Sequence, residues 1–386
     1  MSKDSFTEVT SESWFSRIGG AIKGILVGLV LFVVAFPLLF WNEGRSVRQY
    51  KILKEGGGAV VSVSSDNVDA ANAGKLIHVT GKASTEATLT DPVFGVTATA
   101  LKLKRVTEMY QWKESSESHT KKTLGGGTET AKTYTYSKTW SDKLIDSADF
   151  KEPTDHQNPG SLPYESIEHI ADVVTCGAFT LSASLVGRIN NFESLALGNN
   201  TPLPEPLQGK AILHDGGFYL GADPTSPKIG DARIKFKIVK STEVSVMASQ
   251  VGSTFQPYRT KSSGNIELLQ TGVFTADAMI QRAQEENATL SWILRLVGFI
   301  LMLVGLNMMF RPFSVLADVI PILGDIVGVG TGLISFLLAV VLSLITIAVA
   351  WIVFRPLLGL ILIVAATGLT VAIKRKLKPA NAASPT

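Results

Sequence analysis

Two apolar regions of this chain enclose a long polar block. Ile18–Trp41 carries one charge, Lys23, near its start, and positions 24–40 carry none. At about 1.5 Å per residue, a helix of this length clears a hydrocarbon core of roughly 30 Å. The run exceeds the core of a secretory signal and ends in Phe40-Trp41-Asn42 without a small-residue cleavage pattern, which predicts a retained anchor over 18–41. Toward the other end, Trp292–Phe310 is apolar apart from Arg295 and Asn307, and Val327–Phe354 has no charge. Pro356–Ile373 is apolar up to the basic run Lys374, Arg375, Lys376 and Lys378. Four spans are therefore expected, at 18–41, 292–310, 327–354 and 356–373, with a basic tail over 374–386. Proline after Arg311 and after Arg355 is expected to end the helix before it. Residues 311–326 are mostly apolar but interrupted by Asp318, Pro321 and Asp325, and read as an interfacial or re-entrant segment.

Between the first two spans the pattern changes to period two. Val60–Val63, Lys75–Thr80, Val96–Val106 and Thr107–Trp112 are rich in β-branched and aromatic residues, and Gly, Asn and Pro clusters separate several of them. Strand signals return at Lys210–His214, Ala232–Val239, Glu243–Ala248 and Asn265–Leu269, and Phe179–Ile189 alternates like a strand. Tyr164–Thr175 reads as a short helix, and Thr275–Ala288 has a helical period that leads into the second span. Ser115–Lys132 is poor in apolar residues and holds Gly125-Gly126-Gly127, which predicts a mobile hairpin tip or loop. The polar residues 1–17 predict a flexible tail. The fold class expected is an α+β membrane protein: four transmembrane helices with a large β-rich domain, 42–291, inserted between the first two.

Composition agrees. Mean hydropathy is +0.25, too high for an ordinary soluble protein and too low for one built of spans alone. The net charge of +3 is modest, and the basic residues cluster beside the spans, so the lipid bilayer rather than nucleic acid is the expected partner. Cys176 is the sole cysteine and excludes an intrachain disulfide. The Lys374–Lys378 cluster favours cytosolic termini, with an exoplasmic domain opposite both of them.

Catalytic patterns are missing: there is no His-Glu-x-x-His, Gly-x-Ser-x-Gly, P-loop or paired-cysteine site. The local acid–histidine groupings are Asp155-His156 and Glu168-His169 with Asp172. Their plain reading is solvated polar residues, and the apolar neighbours of Cys176 make it a small buried residue. No cofactor and no metal is expected. Asp318 and Asp325 could together bind an ion, although headgroup-level acids are the plainer reading. The sharper signal is glycine spacing. Gly20, Gly24 and Gly28 share one helix face, and Gly328 and Gly332 repeat the step, so close helix packing is expected at both places.

Several longer motifs join these features. Asn42-Glu43-Gly44-Arg45 directly after the first span, Tyr110-Gln111-Trp112, and Gly230-Asp231 with Arg233 resemble the transmembrane protein 43 (LUMA) family. So do Thr260–Gly264, Trp292 with Arg295, Asn307 in Gly305–Met309, Asp318 with Pro321, and Arg355-Pro356. The resemblance implies four membrane helices around a large domain and brings no catalytic residues. For animal members it implies a lumenal domain in the endoplasmic reticulum and inner nuclear membrane, self-association, and binding of emerin and lamins. The Ser115–Lys132 insertion and the region 314–319 depart from animal members, so a bacterial inner-membrane protein with a periplasmic domain fits as well. The expected function is a non-enzymatic membrane scaffold, a homo-oligomer that organises other membrane proteins. The alternatives are a pore or channel subunit formed by oligomerisation and, third, a membrane-bound hydrolase.

Overall fold

A computed structural model describes residues 4–198, 201 and 204–356. The expected fourth span and the basic tail, from 357 onward, lie outside the described residues. Among those described, three helices are long and apolar enough to cross a membrane: α1 (Trp14–Ala59), α2 (Ala276–Ala317) and α3 (Pro321–Phe354). The described residues divide into two compact units: one within 4–10, 52–120 and 130–282, the other within 11–51, 121–129 and 283–356.

The first unit is β-rich. Its larger sheet holds β1 (Ser5–Glu12) beside β3 (Thr128–Ser141), then β2 (Lys102–Lys122), then β4 (Ala232–Val239). The sequence ARIKFKIV of β4 turns Ala232, Ile234, Phe236 and Ile238 inward, where they meet Phe94, Leu103 and Phe218 in one core. β4 runs antiparallel to β2, with Ala232 opposite Met109 and Val239 opposite Lys102. A second sheet is built on Leu76–Ser84 and Thr242–Val251, paired antiparallel, and its core gathers Ile77, Val79, Val244, Val246, Phe179 and Cys176. Burial pushes the Cys176 thiol up to about 11, so it stays protonated and inert at neutral pH. The C-terminal end of α1 belongs to this unit. There Glu55 accepts from the backbone N–H groups of Lys261 and Ser262 at 2.6 and 3.0 Å, which fixes the Thr260–Gly264 loop to the helix.

Four expectations are corrected, and one is decided between its two alternatives. The tail is not flexible throughout, because Ser5–Glu12 adds an edge strand in which the Phe6 ring lies tilted beside Tyr134, with centres 6.4 Å apart. A strand preceding α1 thus shares a sheet with strands that follow it, against the expected separation of the N-terminal tail from the domain. Of the two readings of 115–132, the hairpin tip holds and the loop does not: β2 and β3 run on to a turn of five residues, 123–127, where Gly125 and Gly126 take φ of 87° and 82°. Tyr164–Thr175 holds the strand Ile167–Ile170, claimed by pairing with β2, and not a helix. The strand expected over Phe179–Ile189 stops at Thr180, because Ser182 caps a short helix over Ala183–Gly187. Pro312 does not end α2, which continues to Ala317. The segment 311–326 is accordingly two helix ends joined at 318–320, with Pro321 as the first residue of α3.

The second unit is the three-helix bundle. Ala35, Leu39, Met302, Leu306 and Ala339 form its core. Large apolar side chains on the opposite faces, Leu26, Val30, Leu296, Val329 and Leu344 among them, are exposed, as lipid-facing surface requires.

Candidate functional site

The first turn after the apolar run of α1 carries the densest buried polarity of the bundle. Glu43 is fully buried. Its carboxylate accepts from Arg295 Nε at 2.6 Å and a terminal guanidinium nitrogen at 2.9 Å, both from α2. Trp351 Nε1 on α3 donates to the same carboxylate at 2.8 Å. One acid therefore ties all three helices, and the Arg295 guanidinium lies 4.6 Å from the centre of the Trp292 ring. One residue away, Asn42 Nδ2 donates to the Ser291 carbonyl at 3.0 Å, and Arg45 donates to Asn287 Oδ1 and Ser291 Oγ, each at 3.0 Å. Asn287 closes the network by donating to the Ser46 carbonyl. Gly44 lets the Phe354 ring sit against α1: a Cβ there would lie 2.7 Å from the ring.

The other end of the bundle holds a second cluster. Asp318, 1 % exposed, pairs with Arg17 at 2.5 Å and with Lys122 at 2.6 Å, and Lys122 also reaches Asp325 at 2.7 Å. Burial opposes the Lys122 charge, but the two carboxylates outweigh it and raise the ammonium above its usual range. Two cations already balance the two acids, so the pair does not need a metal. Replacing Asp318 with Asn should destabilise the full chain in detergent by about 1–3 kcal/mol, read as a shifted unfolding midpoint, because two donors lose a charged acceptor. An unchanged midpoint would show that Arg17 and Lys122 are fully served by water.

Glycine packing differs from the expected pattern. Gly28 and Gly305 face each other, and a Cβ on Gly28 would lie 2.7 Å from the Gly305 carbonyl oxygen. Among the described residues, a Cβ on Gly24 would meet only Met308, and one on Gly20 would meet nothing within 4 Å. Gly328 nears Ser314 of α2, and Gly332 lies by Asn307. The two glycine sets thus meet α2, not each other.

Motif residues in the β-rich unit hold backbone together. Gln111 bridges the Lys143 carbonyl and the Ile145 N–H, and the Trp112 N–H donates to Asn158. Gly230, at φ 94°, donates to the Tyr110 carbonyl, while Asp231 accepts from Tyr219 Oη at 2.6 Å. Arg233 pairs with Glu108 at 2.6 Å and lies 4.7 Å from the Trp140 ring centre. The two histidine groupings have separate partners, and His169 Nε2 lies 4.0 Å from the Asp91 carboxylate. His156 is buried, stacked on Tyr136 at 3.7 Å, with Nδ1 against the Glu152 carbonyl, and Asp155 is solvent-exposed. Glu168 serves Lys102 and Lys104. No cluster of three or more metal-ligating side chains occurs among the described residues.

Comparison with known proteins places these motifs. The family model described as Transmembrane protein 43 matches residues 109–356. Rat Transmembrane protein 43 is 35 % identical over 370 residues, covering 92 % of this chain and 91 % of the relative. The chain belongs to the Transmembrane protein 43 family. The human member is 34 % identical over 90 % of this chain and 89 % of its own length, and the Drosophila melanogaster homolog 29 % over 88 % and 91 %. No solved structure matches. Within this family member, the motif residues Asn42, Glu43, Arg45 and Arg295 converge in one network, while Tyr110, Gly230 and Asp231 meet elsewhere. Sequence reading missed Trp351, Asn287, Ser291 and Arg17. Trp351 near the end of a span and Arg17 just before one carry an interfacial signal. Asn287 and Ser291, four apart on one helix face, become visible only once α1 lies opposite them.

Proposed function

We propose that this protein is a non-enzymatic integral membrane scaffold that self-associates and organises partner membrane proteins. The observation that carries this reading is the use to which the bundle puts its polar side chains. Glu43, Arg295, Trp351, Arg17 and Asp318 cross-link helix to helix, leaving long apolar faces and the open Gly20 for lipid or another copy. The reading includes a fourth span over 356–373. In a eukaryotic host it places the protein in the endoplasmic reticulum and inner nuclear membranes.

Crosslinking of the full chain in native membranes should trap dimers or larger species. Leucine at Gly20 should shift these toward monomer without changing the unfolding midpoint, since small residues permit the close approach that drives association in lipid. Monomer at every crosslinker concentration would overturn the self-association. Ion conductance in vesicles holding only this protein would replace the scaffold with the pore alternative.

A further inference from the structure

On the bundle, two adjacent rows of α1 at four-residue spacing, Phe40, Gly44, Arg48 and Trp41, Arg45, Gln49, line a groove of about 360 Å³ that Phe354 of α3 closes. Its floor is aromatic: the Phe40 and Phe354 rings are 5.0 Å apart, and Gly44 admits Phe354. Its rim is cationic. Glu43, the neighbouring acid, is consumed by Arg295 and Trp351. The acceptors of Arg45 are the neutral Asn42, Asn287 and Ser291, and its Nε is buried with no acceptor among the described residues. Arg48 is exposed. Among the described residues no carboxylate forms an ion pair with Arg45 or Arg48, so two guanidinium groups stand beside an aromatic floor where the apolar run of α1 ends, with Glu43 acting on Arg45 only at longer range. Below them, Val30, Val33 and Val34 expose a continuous apolar surface along the same helix.

We infer that this groove binds the headgroup of an anionic glycerophospholipid. Arg45 and Arg48 take the phosphodiester oxygens, Trp41 and Phe354 flank the glycerol, and the acyl chains lie along Val30–Val34. Guanidinium forks match phosphate oxygens in geometry as well as charge. A soluble anion would gain nothing from the aromatic floor or from the valine surface, whereas a lipid uses both halves of the site.

The test uses the full chain in vesicles containing brominated phosphatidylglycerol or brominated phosphatidylcholine, which quench nearby tryptophan. The Trp41 signal is isolated by subtracting that of a Trp41→Phe variant. A basic residue at an anionic lipid surface changes affinity about fivefold. Phosphatidylglycerol should therefore displace phosphatidylcholine at Trp41 with a preference of at least that size. Arg48→Gln, at an exposed position, should reduce the preference about fivefold. Arg45→Lys should keep part of it, as a point charge replaces the fork. Because the readout is a ratio of two lipids within one variant, lower stability cannot imitate the loss.

Equal quenching by the two lipids would overturn the site, as would a preference that survives Arg48→Gln. Absence of quenching by either lipid would show that another part of the protein covers the groove, and would overturn it too. An equal loss on Lys51→Gln, an exposed cation outside the groove, would assign the preference to diffuse surface potential and not to this site.

Discussion

Glutamine at Glu43 should cost the full chain roughly 3–5 kcal/mol of stability, the largest effect expected of any single exchange in the bundle. The carboxylate is fully buried and accepts three hydrogen bonds, two from Arg295 and one from Trp351. Removing its charge leaves the Arg295 guanidinium, 14 % exposed, facing an amide that can accept through one oxygen only. Breaking one side of a buried pair is costly because the surviving charge stays desolvated. Replacing both sides by apolar groups can be close to neutral. The double variant Glu43→Leu with Arg295→Leu should therefore recover much of the loss, and with the two single leucine variants the cycle separates the pair from its parts. Chemical unfolding in a defined detergent, followed by tryptophan emission, measures both. A single exchange within about 0.5 kcal/mol of the parent, the range of ordinary surface substitutions, would show that Glu43 is not the fastening point of the three helices.

Leucine at Gly28 is expected to have the second largest effect. The reciprocal approach of Gly28 and Gly305 brings backbone against backbone. A Cβ on Gly28 would sit 2.7 Å from the Gly305 carbonyl oxygen and 2.8 Å from Met308 Cβ, and one on Gly305 would sit 2.8 Å from the Phe32 nitrogen. Backbone atoms cannot swing away as a side-chain end can, so α1 and α2 must separate along the crossing. Overpacking costs about 1–3 kcal/mol where neighbours can adjust, and this site belongs at the top of that range or beyond. The same exchange at Gly20, which has open space, should leave stability unchanged. Thermal unfolding of both variants side by side reads the contrast. Equal midpoints for Gly28→Leu and Gly20→Leu would sink the close crossing.

These two sites show where sequence reading succeeds and where it stops. Spacing identified the glycines as a packing face, since four-residue steps put them on one side of a helix. Spacing is silent about the partner, and the tightest contact is with Gly305, a glycine absent from either repeated set. Asn42, Glu43, Gly44 and Arg45 stood out as a motif, yet nothing in it distinguishes the buried acid from a solvated one. That difference depends on Arg295 and Trp351, which lie about 250 and 310 positions further along the chain.

Local chemistry was sufficient by itself for the apolar helices, the β-rich block between the first two, and the alternation of Ala232–Val239, because hydropathy and side-chain period act within a few residues of their cause. It was also sufficient for the family. The tertiary structure decided the rest. Pairing partners selected the hairpin tip over the loop for the glycine-rich stretch 115–132, drew Ser5–Glu12 into a sheet, and claimed Ile167–Ile170 as a strand. Each of these segments is short or polar, with weak preferences of its own, so a neighbouring strand's open hydrogen-bonding edge settles its conformation. The same holds for charge: the sequence leaves Asp318 and Asp325 open between headgroup-level acids and an ion site, and only the arrival of Arg17 and Lys122 from distant segments makes them an internally balanced cluster.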